Sequence, residues 1–182
     1  MEVFGKNRVF DTPLSENCIT GICMGALFSG FWPVLVHQRI DFSLLSVDQI
    51  VNGAAKWSYI FNAQVSVPMV IRMIIGRGRG GGPQHTQSLQ AMFASEPDLK
   101  VVMPSNLRDS KGMLISAIRD ENPVVFIEHR WLHSVKDKVP NAMFEVPLDK
   151  ARIVRTGKDI TVTAFSYQVL EALQIAKELR HR

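Results

Sequence analysis

The sequence predicts an α/β domain built on a parallel sheet with helices on its faces. Three observations carry this. Short apolar runs of strand character alternate with stretches whose apolar residues recur at helical spacing. The run at 67–75 is rich in β-branched residues, as a strand buried in a parallel sheet should be. Hydrophobic residues make up 46% of the 182 positions against 21% charged, enough for a core and wrong for a disordered tail.

Each element follows in order. Residues 8–11 are expected to end a strand, which Thr12-Pro13 breaks. After Ser15, the positions Ile19, Ile22, Cys23, Ala26 and Leu27 fall at helical spacing, with Gly21 and Gly25 letting that helix approach a neighbour. Residues 33–36 read as a buried strand, and Val47, Ile50, Val51, Ala54 and Ala55 repeat the helical spacing. Strands are expected again at 67–75 and 99–103. Met113, Leu114, Ala117 and Ile118 mark a helix that Asn122-Pro123 stops before the strand 124–127. Residues 133–150 are polar, carry Pro140 and Pro147, and read as a linker. Beyond it, 160–165 alternates as a strand and 169–179 as an amphipathic helix. One strand and one helix bury too little for a core, so they read as the opening of a second domain. The expected division is 1–132, a linker at 133–150, and the start of a further domain at 151–182.

Composition excludes several classes. No apolar run reaches the roughly 18 residues of a membrane span, and no charged-then-apolar signal segment opens the chain. The net charge of +4 is a mild excess, compatible with nucleic acid but far from demanding it. Cys18 and Cys23 sit in an apolar stretch and read as small buried thiols of a reducing compartment.

The residues that could carry chemistry are individually ambiguous. Glu16 stands in the first turn of a helix after an expected strand end, where ligands of parallel sheets gather; it equally suits a carboxylate complementing the helix dipole. The glycine-rich stretch 76–83, with Arg77 and Arg79, follows a strand and fits a loop over an active site. It lacks the Lys-Ser/Thr of a phosphate cradle, and a nucleic-acid segment of this type would be longer and lie outside a folded domain. His85 follows at once and could transfer protons or serve as a structural hydrogen-bonder. Phe42 is core or a stacking surface for a heterocycle. The turn 117–122 offers free helix carbonyls beside a carboxylate and an amide, an arrangement that caps helices and can hold a cation. His129, Arg130, Trp131 and His133 form a polar–aromatic cluster with no sharp chemical reading.

The order and spacing of five segments say more: RVFDTPLSE (8–16), DQIVNGAAK (48–56), QHTQS (84–88), LKVVMP (99–104) and AIRDENPV (117–124). Together they resemble the beta subunit of the first component of 2-oxo acid dehydrogenase complexes, thiamine diphosphate enzymes acting on pyruvate, branched-chain 2-oxo acids or acetoin. The resemblance runs from about Phe4 to the end of the chain. It implies a transketolase-like pyrimidine-binding α/β domain followed by the transketolase C-terminal domain. Relative to that pattern the chain is expected to lack the first strand and helix of the former and much of the latter. It implies that Glu16 hydrogen-bonds the aminopyrimidine ring nitrogen of thiamine diphosphate, promoting the imino tautomer that creates the ylid. It implies that Phe42 lies beside the pyrimidine and that His85 assists proton transfer. Met69, Ala117, Ile118, Asp120 and Asn122 match a structural potassium site made largely of backbone carbonyls. Arg77 and Arg79 depart from the small residues usual in that loop and suit either an acidic substrate or carrier domain, or plain solvation.

The Gly-Asp-Gly…Asn pattern that holds magnesium and diphosphate is absent from this sequence. By the resemblance, an alpha subunit supplies it, two alpha and two beta chains make the enzyme, and a lipoyl acyltransferase core receives the product. Neither nucleic acid nor membrane is expected as a partner, and the compartment is bacterial cytoplasm or mitochondrial matrix. A rival from another class is a non-catalytic scaffold that binds the alpha chain without a complete site.

Overall fold

The computed structural model describes residues 2–78 and 80–179. Its centre is a sheet of four strands, β1 (Val34–His37), β2 (Val70–Ile75), β3 (Lys100–Val102) and β4 (Val124–His129). They are ordered β1-β2-β4-β3 with every pairing parallel. Val34 pairs with Val70, and Val70 with Val124, so the strands start level.

Alternation along these strands sends side chains to two separate cores. Ile71, Met73, Ile75, Val125 and Ile127 face one side, where they meet α1 (Glu16–Leu27) through Met24 and Leu27. Ile50, Ala54 and Ala55 of the π-helical segment Asp48–Ala55, which continues into α2 (Lys56–Ile60), join them there. Phe93 of the short helix α3 (Gln90–Ala94) completes that face. Val70, Val124 and Phe126 face the other side, against Ala117, Met113 and Leu114 of α4 (Leu107–Ile118). A helix α5 (Gln168–Glu178) follows a long irregular stretch.

The helices have local reasons to stand where they do. α4 opens on Asn106, whose side chain accepts the Asp109 N–H at 2.8 Å, a conventional N-cap. The polar face of the π-helical segment is a ladder: Asn52 donates to Asp48 at 2.8 Å and Lys56 to Asn52 at 3.1 Å. That ladder gives the DQIVNGAAK spacing a structural meaning. Close approach of helices occurs at Gly21, facing Gln49, and at Gly53, where a Cβ would stand 2.8 Å from Met24 Sδ; Gly25 faces open space.

Three expectations are corrected. Residues 8–11 form no strand; Arg8 and Val9 instead donate to the Gly5 carbonyl in a turn, with every side chain there exposed. Residues 160–165 form no strand either, and Ile160 and Val162 are exposed. In both places the apolar pattern is right, but no neighbouring strand offers a ladder to pair with. The cysteines are free, as expected, but Cys18 is exposed and only Cys23 is partly covered, which pushes its thiol pKa up by desolvation.

The stretch 133–150 lacks strands and long helices but is docked. Lys111 Nζ donates to the carbonyls of Pro140, Asn141 and Ala142. Arg119 pairs with Glu145, and Val146 exchanges hydrogen bonds with Ser116.

Candidate functional site

Topology decides which residues meet. Thr20 in the second turn of α1 contacts His37, the last residue of β1, so the first turn of the helix lies by the carboxyl end of the strand that follows it. The 3-10 helix Ile40–Ser46 leaves that same end of β1, and the loop 76–89 leaves the carboxyl end of β2. Glu16, Phe42 and His85 are thereby delivered to one end of the sheet. Contacts tie the last two of these elements together. Phe42 and His85 meet edge to face, with ring centroids 5.2 Å apart. The Gln87 N–H donates to Asp41 Oδ1 at 3.1 Å, and Arg39 donates to the Gly76 carbonyl at 3.4 Å. Gly76 turns the chain at φ +133°, and a Cβ there would stand 3.1 Å from Arg130 Cβ.

Glu16 is half-buried at the first position of α1, with its negative charge on the positive end of the helix dipole. Beneath it lies His37, the last residue of β1. Its imidazole is buried, and desolvation holds its pKa below the ordinary value against an opposing pull from the Glu16 charge. Asp41 is also buried, and its Oδ2 has no hydrogen-bond partner among the described residues. An acceptor left unsatisfied beside Phe42 is a place for a ligand N–H.

Sequence reasoning missed His37 and Asp41. Both flank residues it did select, but neither stands in an apolar or glycine pattern that draws notice. The aromatic cluster it left unread also gains a partner. His129, Trp131 and Tyr167 meet at centroid distances of 4.9 to 5.3 Å. The Arg77 guanidinium lies 5.4 Å over the Trp131 ring, so this arginine is exposed yet stacked rather than simply solvated. These residues line a cleft of about 200 Å³ at the carboxyl ends of β2 and β4, with Thr86 and Glu171 on its walls. Burial lowers the His129 pKa, opposed by Glu171 and assisted by Arg77 and His133. Arg79 lies outside the described residues.

The remaining sequence-selected residues gather at the opposite end of the sheet. Met69 precedes β2 and the turn 117–122 precedes β4, whose first residues are in register. The Met69 carbonyl accepts the Val124 N–H at 2.9 Å, and the Ala117 carbonyl faces the Asp120 N–H at 3.4 Å. Ile118 is exposed, whereas Met69 and Ala117 are buried. Asp120 Oδ1 accepts from both the backbone and side-chain nitrogens of Asn122, and its Oδ2 from Lys100 at 2.6 Å. Burial alone would raise the Asp120 pKa; the hydrogen bonds from Lys100 and Asn122, with the Lys100 charge, outweigh it and leave the pKa below the usual range. No cluster of three or more His, Cys, Asp or Glu side chains suited to a metal ion occurs among the described residues. No helix among them is long and apolar enough to cross a membrane.

Comparison with known proteins agrees with this architecture. Residues 1–134 match the family described as transketolase, pyrimidine binding domain. The chain is 44% identical over 179 residues to the 2-oxoisovalerate dehydrogenase subunit beta of Bacillus subtilis, covering 98% of this chain and 55% of that one. It is 42% identical over 180 residues to the mitochondrial pyruvate dehydrogenase E1 component subunit beta-2 of rice, covering 97% and 48%. It is 42% identical over 173 residues to the acetoin:2,6-dichlorophenolindophenol oxidoreductase subunit beta of Cupriavidus necator, covering 95% and 51%. The chain thus spans about half the length of the curated relatives it matches. A solved structure described as a split gene transketolase, inactive beta4 tetramer, shares the fold at a TM-score of 0.80 and 21% identity, covering 99% of this chain and 55% of that one. The chain belongs to the transketolase pyrimidine-binding family, and its sequence is similar to the beta subunits of 2-oxo acid dehydrogenases, as its five motifs had indicated.

Proposed function

We propose that this chain is the pyrimidine-side half of a thiamine diphosphate-dependent 2-oxo acid dehydrogenase, the beta subunit of its first component. The observation that carries the reading is the arrival of Glu16, Phe42 and His85 at the carboxyl end of the sheet: the Asp41–Gln87 and Arg39–Gly76 hydrogen bonds join the two elements that carry Phe42 and His85, and the Thr20–His37 contact brings the first turn of α1 to the same strand end. The residues suit an aminopyrimidine. Glu16 offers an acid for a ring nitrogen, Phe42 a face for the ring, and Asp41 Oδ2 a buried acceptor still lacking a donor. The sequence has no counterpart for the diphosphate, so magnesium and diphosphate fall to an alpha subunit.

Thiamine diphosphate, when bound, supplies the electron sink that 2-oxo acid decarboxylation needs. The part of this chain is to bind, orient and move protons. The Glu16 carboxyl shares a proton with the ring nitrogen, a task a carboxamide cannot perform. Phe42 fixes the ring plane and excludes water from one side. His85, in edge-to-face contact with Phe42, gives or takes a proton at the reacting end in this reading. Met69, Ala117, Ile118, Asp120 and Asn122 would seat a structural potassium ion through their carbonyls at the sheet's amino end, away from this chemistry. Assembly with two alpha chains and a second beta chain, and delivery of the acyl group to a lipoyl acyltransferase core, complete the reading. It places the protein in bacterial cytoplasm or mitochondrial matrix; the relatives include mitochondrial and bacterial proteins.

The test is co-expression with the alpha chain of a 2-oxo acid dehydrogenase. Hydrogen–deuterium exchange at the thiazolium carbon is then followed for the wild type and Glu16→Gln. Loss of exchange by at least about a hundredfold with the assembly intact is expected, the scale of a lost acid–base group. Unchanged exchange, or turnover by this chain alone, overturns the assignment.

A further inference from the structure

Below Glu16 three polar side chains are buried together: Thr20 and Ser46 at 0% exposure and His37 at 4%. Most buried polar groups are hydrogen-bonded, and here each proton can be assigned. The Thr20 hydroxyl donates to the Glu16 carbonyl at 2.7 Å. The Ser46 hydroxyl donates to the Ser43 carbonyl at 3.0 Å. Each hydroxyl has one proton and has spent it. His37 Nε2 lies 3.3 Å from Thr20 Oγ1 and 3.4 Å from Ser46 Oγ, so both contacts are satisfied only if Nε2 carries the hydrogen and forks it between the two oxygens.

We propose that His37, locked as its Nε2–H tautomer, is a positioning residue for Glu16. By forking one hydrogen bond to Thr20 and Ser46 it pins the first turn of α1 to the carboxyl end of β1 and to the 3-10 helix that carries Phe42. Thr20 passes the constraint to the Glu16 backbone within one helical turn. Two of the three elements that build the candidate site, α1 and the 3-10 helix, thereby share a single buried donor at the end of β1. Glu16 is the charged side chain that acts on the imidazole, and desolvation keeps the ring neutral beside it. The tautomer assignment stands on the geometry alone; the consequence for Glu16 rests on the function proposed above.

The experiment has two arms, made on the chain assembled with its alpha partner. In the first, ¹⁵N spectra of the His37 ring are recorded between pH 5.5 and 8. At pH 8, where the ring is neutral, protonation at Nε2 is expected, with the ring charging only below the ordinary histidine value; a neutral ring protonated at Nδ1, or a fully charged ring at pH 6.5, overturns the proposal. In the second, thiazolium hydrogen–deuterium exchange is compared for His37→Gln, which keeps a donor at the Nε2 position, and His37→Phe, which fills the space without one. Exchange within about threefold of wild type for His37→Gln and reduced at least about tenfold for His37→Phe is expected, the scale of a sub-ångström misplacement. The variant Thr20→Ala/His37→Phe/Ser46→Ala replaces the whole polar group by apolar side chains and serves if His37→Phe fails to fold. Full exchange by either apolar variant, while Glu16→Gln abolishes it, overturns the positioning role and leaves the proposed function standing. Full exchange by Glu16→Gln removes the function and spares the tautomer.

Discussion

Gly112 in the middle of α4 offers a quantitative check on how the irregular stretch after β4 is held. A Cβ added there would stand 2.5 Å from Val146 Cγ2 and 2.8 Å from Phe144 Cε2. Carbon atoms prefer about 3.5–4.0 Å, so in Gly112→Ala the strap must lift by about 1 Å or more. Val146 is branched at Cβ and cannot swing its methyl away at little cost. Lifting stretches three hydrogen bonds: Val146 N–H to the Gly112 carbonyl at 3.3 Å, Val146 N–H to Ser116 Oγ at 3.2 Å, and Ser116 Oγ to the Val146 carbonyl at 2.8 Å. Each is worth about 1 kcal/mol net, against a gain of about 1 kcal/mol for alanine over glycine in a helix. A net loss of about 1–3 kcal/mol follows, within the range measured for overpacked cores. Gly53→Ala is the control. Its Cβ would meet Met24 Sδ at 2.8 Å and Cε at 2.9 Å, the mobile end of an unbranched side chain, so the expected change is under about 1 kcal/mol. Urea denaturation gives both values, and limited proteolysis should show new cleavage near 140–146 in Gly112→Ala only. If Gly112→Ala is as stable as the wild type or more so, with no new cleavage, the docking of the strap on α4 is wrong.

Two further predictions concern charge. Burial lowers the pKa of both His37 and His129, so between the ordinary histidine value and their folded values the unfolded chain binds more protons than the native one. Stability is therefore at its full level above about pH 6.5 and declines as the pH falls below it, by up to about 1.4 kcal/mol per unit and per group. Urea midpoints at pH 7.5, 6.5 and 5.5 should show the decline, and His37→Gln should flatten it; equal slopes in variant and wild type would refute the contribution of His37. The Asp120 pKa is lowered, so Asp120 stabilises above about pH 4 and loses that contribution as the pH drops through its folded value. Lys100→Met removes the cation that Asp120 Oδ2 accepts from, and because Lys100 is 45% exposed the cost at pH 7 should stay below about 1 kcal/mol. A difference from wild type that persists undiminished at pH 2.5 would show that the loss is packing rather than charge.

The elements that sequence periodicity located well are those with a complete local reason. α1 has its apolar stripe, α4 has its cap and its stop at Asn122-Pro123, and β2 and β4 are largely apolar because helices cover both faces, broken only by the Arg72–Glu128 ion pair and the terminal His129. The two strands it placed wrongly, at 8–11 and 160–165, had the pattern without a partner. A ladder is a property of two segments, and alternation in one says nothing about whether the other lies beside it. The π-helical winding of Asp48–Ala55 was equally hidden, because its polar ladder at four-residue spacing suits an ordinary helix as well.

For the site, motifs named Glu16, Phe42 and His85, but the route by which Glu16 arrives was not the one expected. It does not follow a strand; it heads a helix whose second turn contacts His37 at the end of β1. The buried hydrogen bonds that fix the corner join residues 9 to 46 positions apart: Thr20 with His37, Ser46 with His37, and Gln87 with Asp41. No window along the chain holds such a group, and each member alone reads as an ordinary polar residue. Tyr167 is the same case, meaningful only once it stacks on His129.

Under the proposed function, the polarity of that corner follows from the task assigned to Glu16. A carboxyl that exchanges a proton with a bound ring needs a fixed position and no competing cation. A charged imidazole beneath it would hold the carboxylate by Coulomb attraction in a poorly screened interior, where such attraction is strong. A hydrocarbon there would avoid the charge but leave the Thr20 and Ser46 oxygens without a donor. A buried imidazole meets both needs: desolvation keeps it neutral, and its one N–H still grips two elements. Burial is thus what lets His37 act as scaffold rather than as counter-ion. The same reasoning separates it from His85, which is half-buried beside Phe42 and open enough to meet a substrate. Under the proposed function, the two histidines at one end of one sheet differ in how much water each can reach, and that difference would divide them between holding and proton transfer.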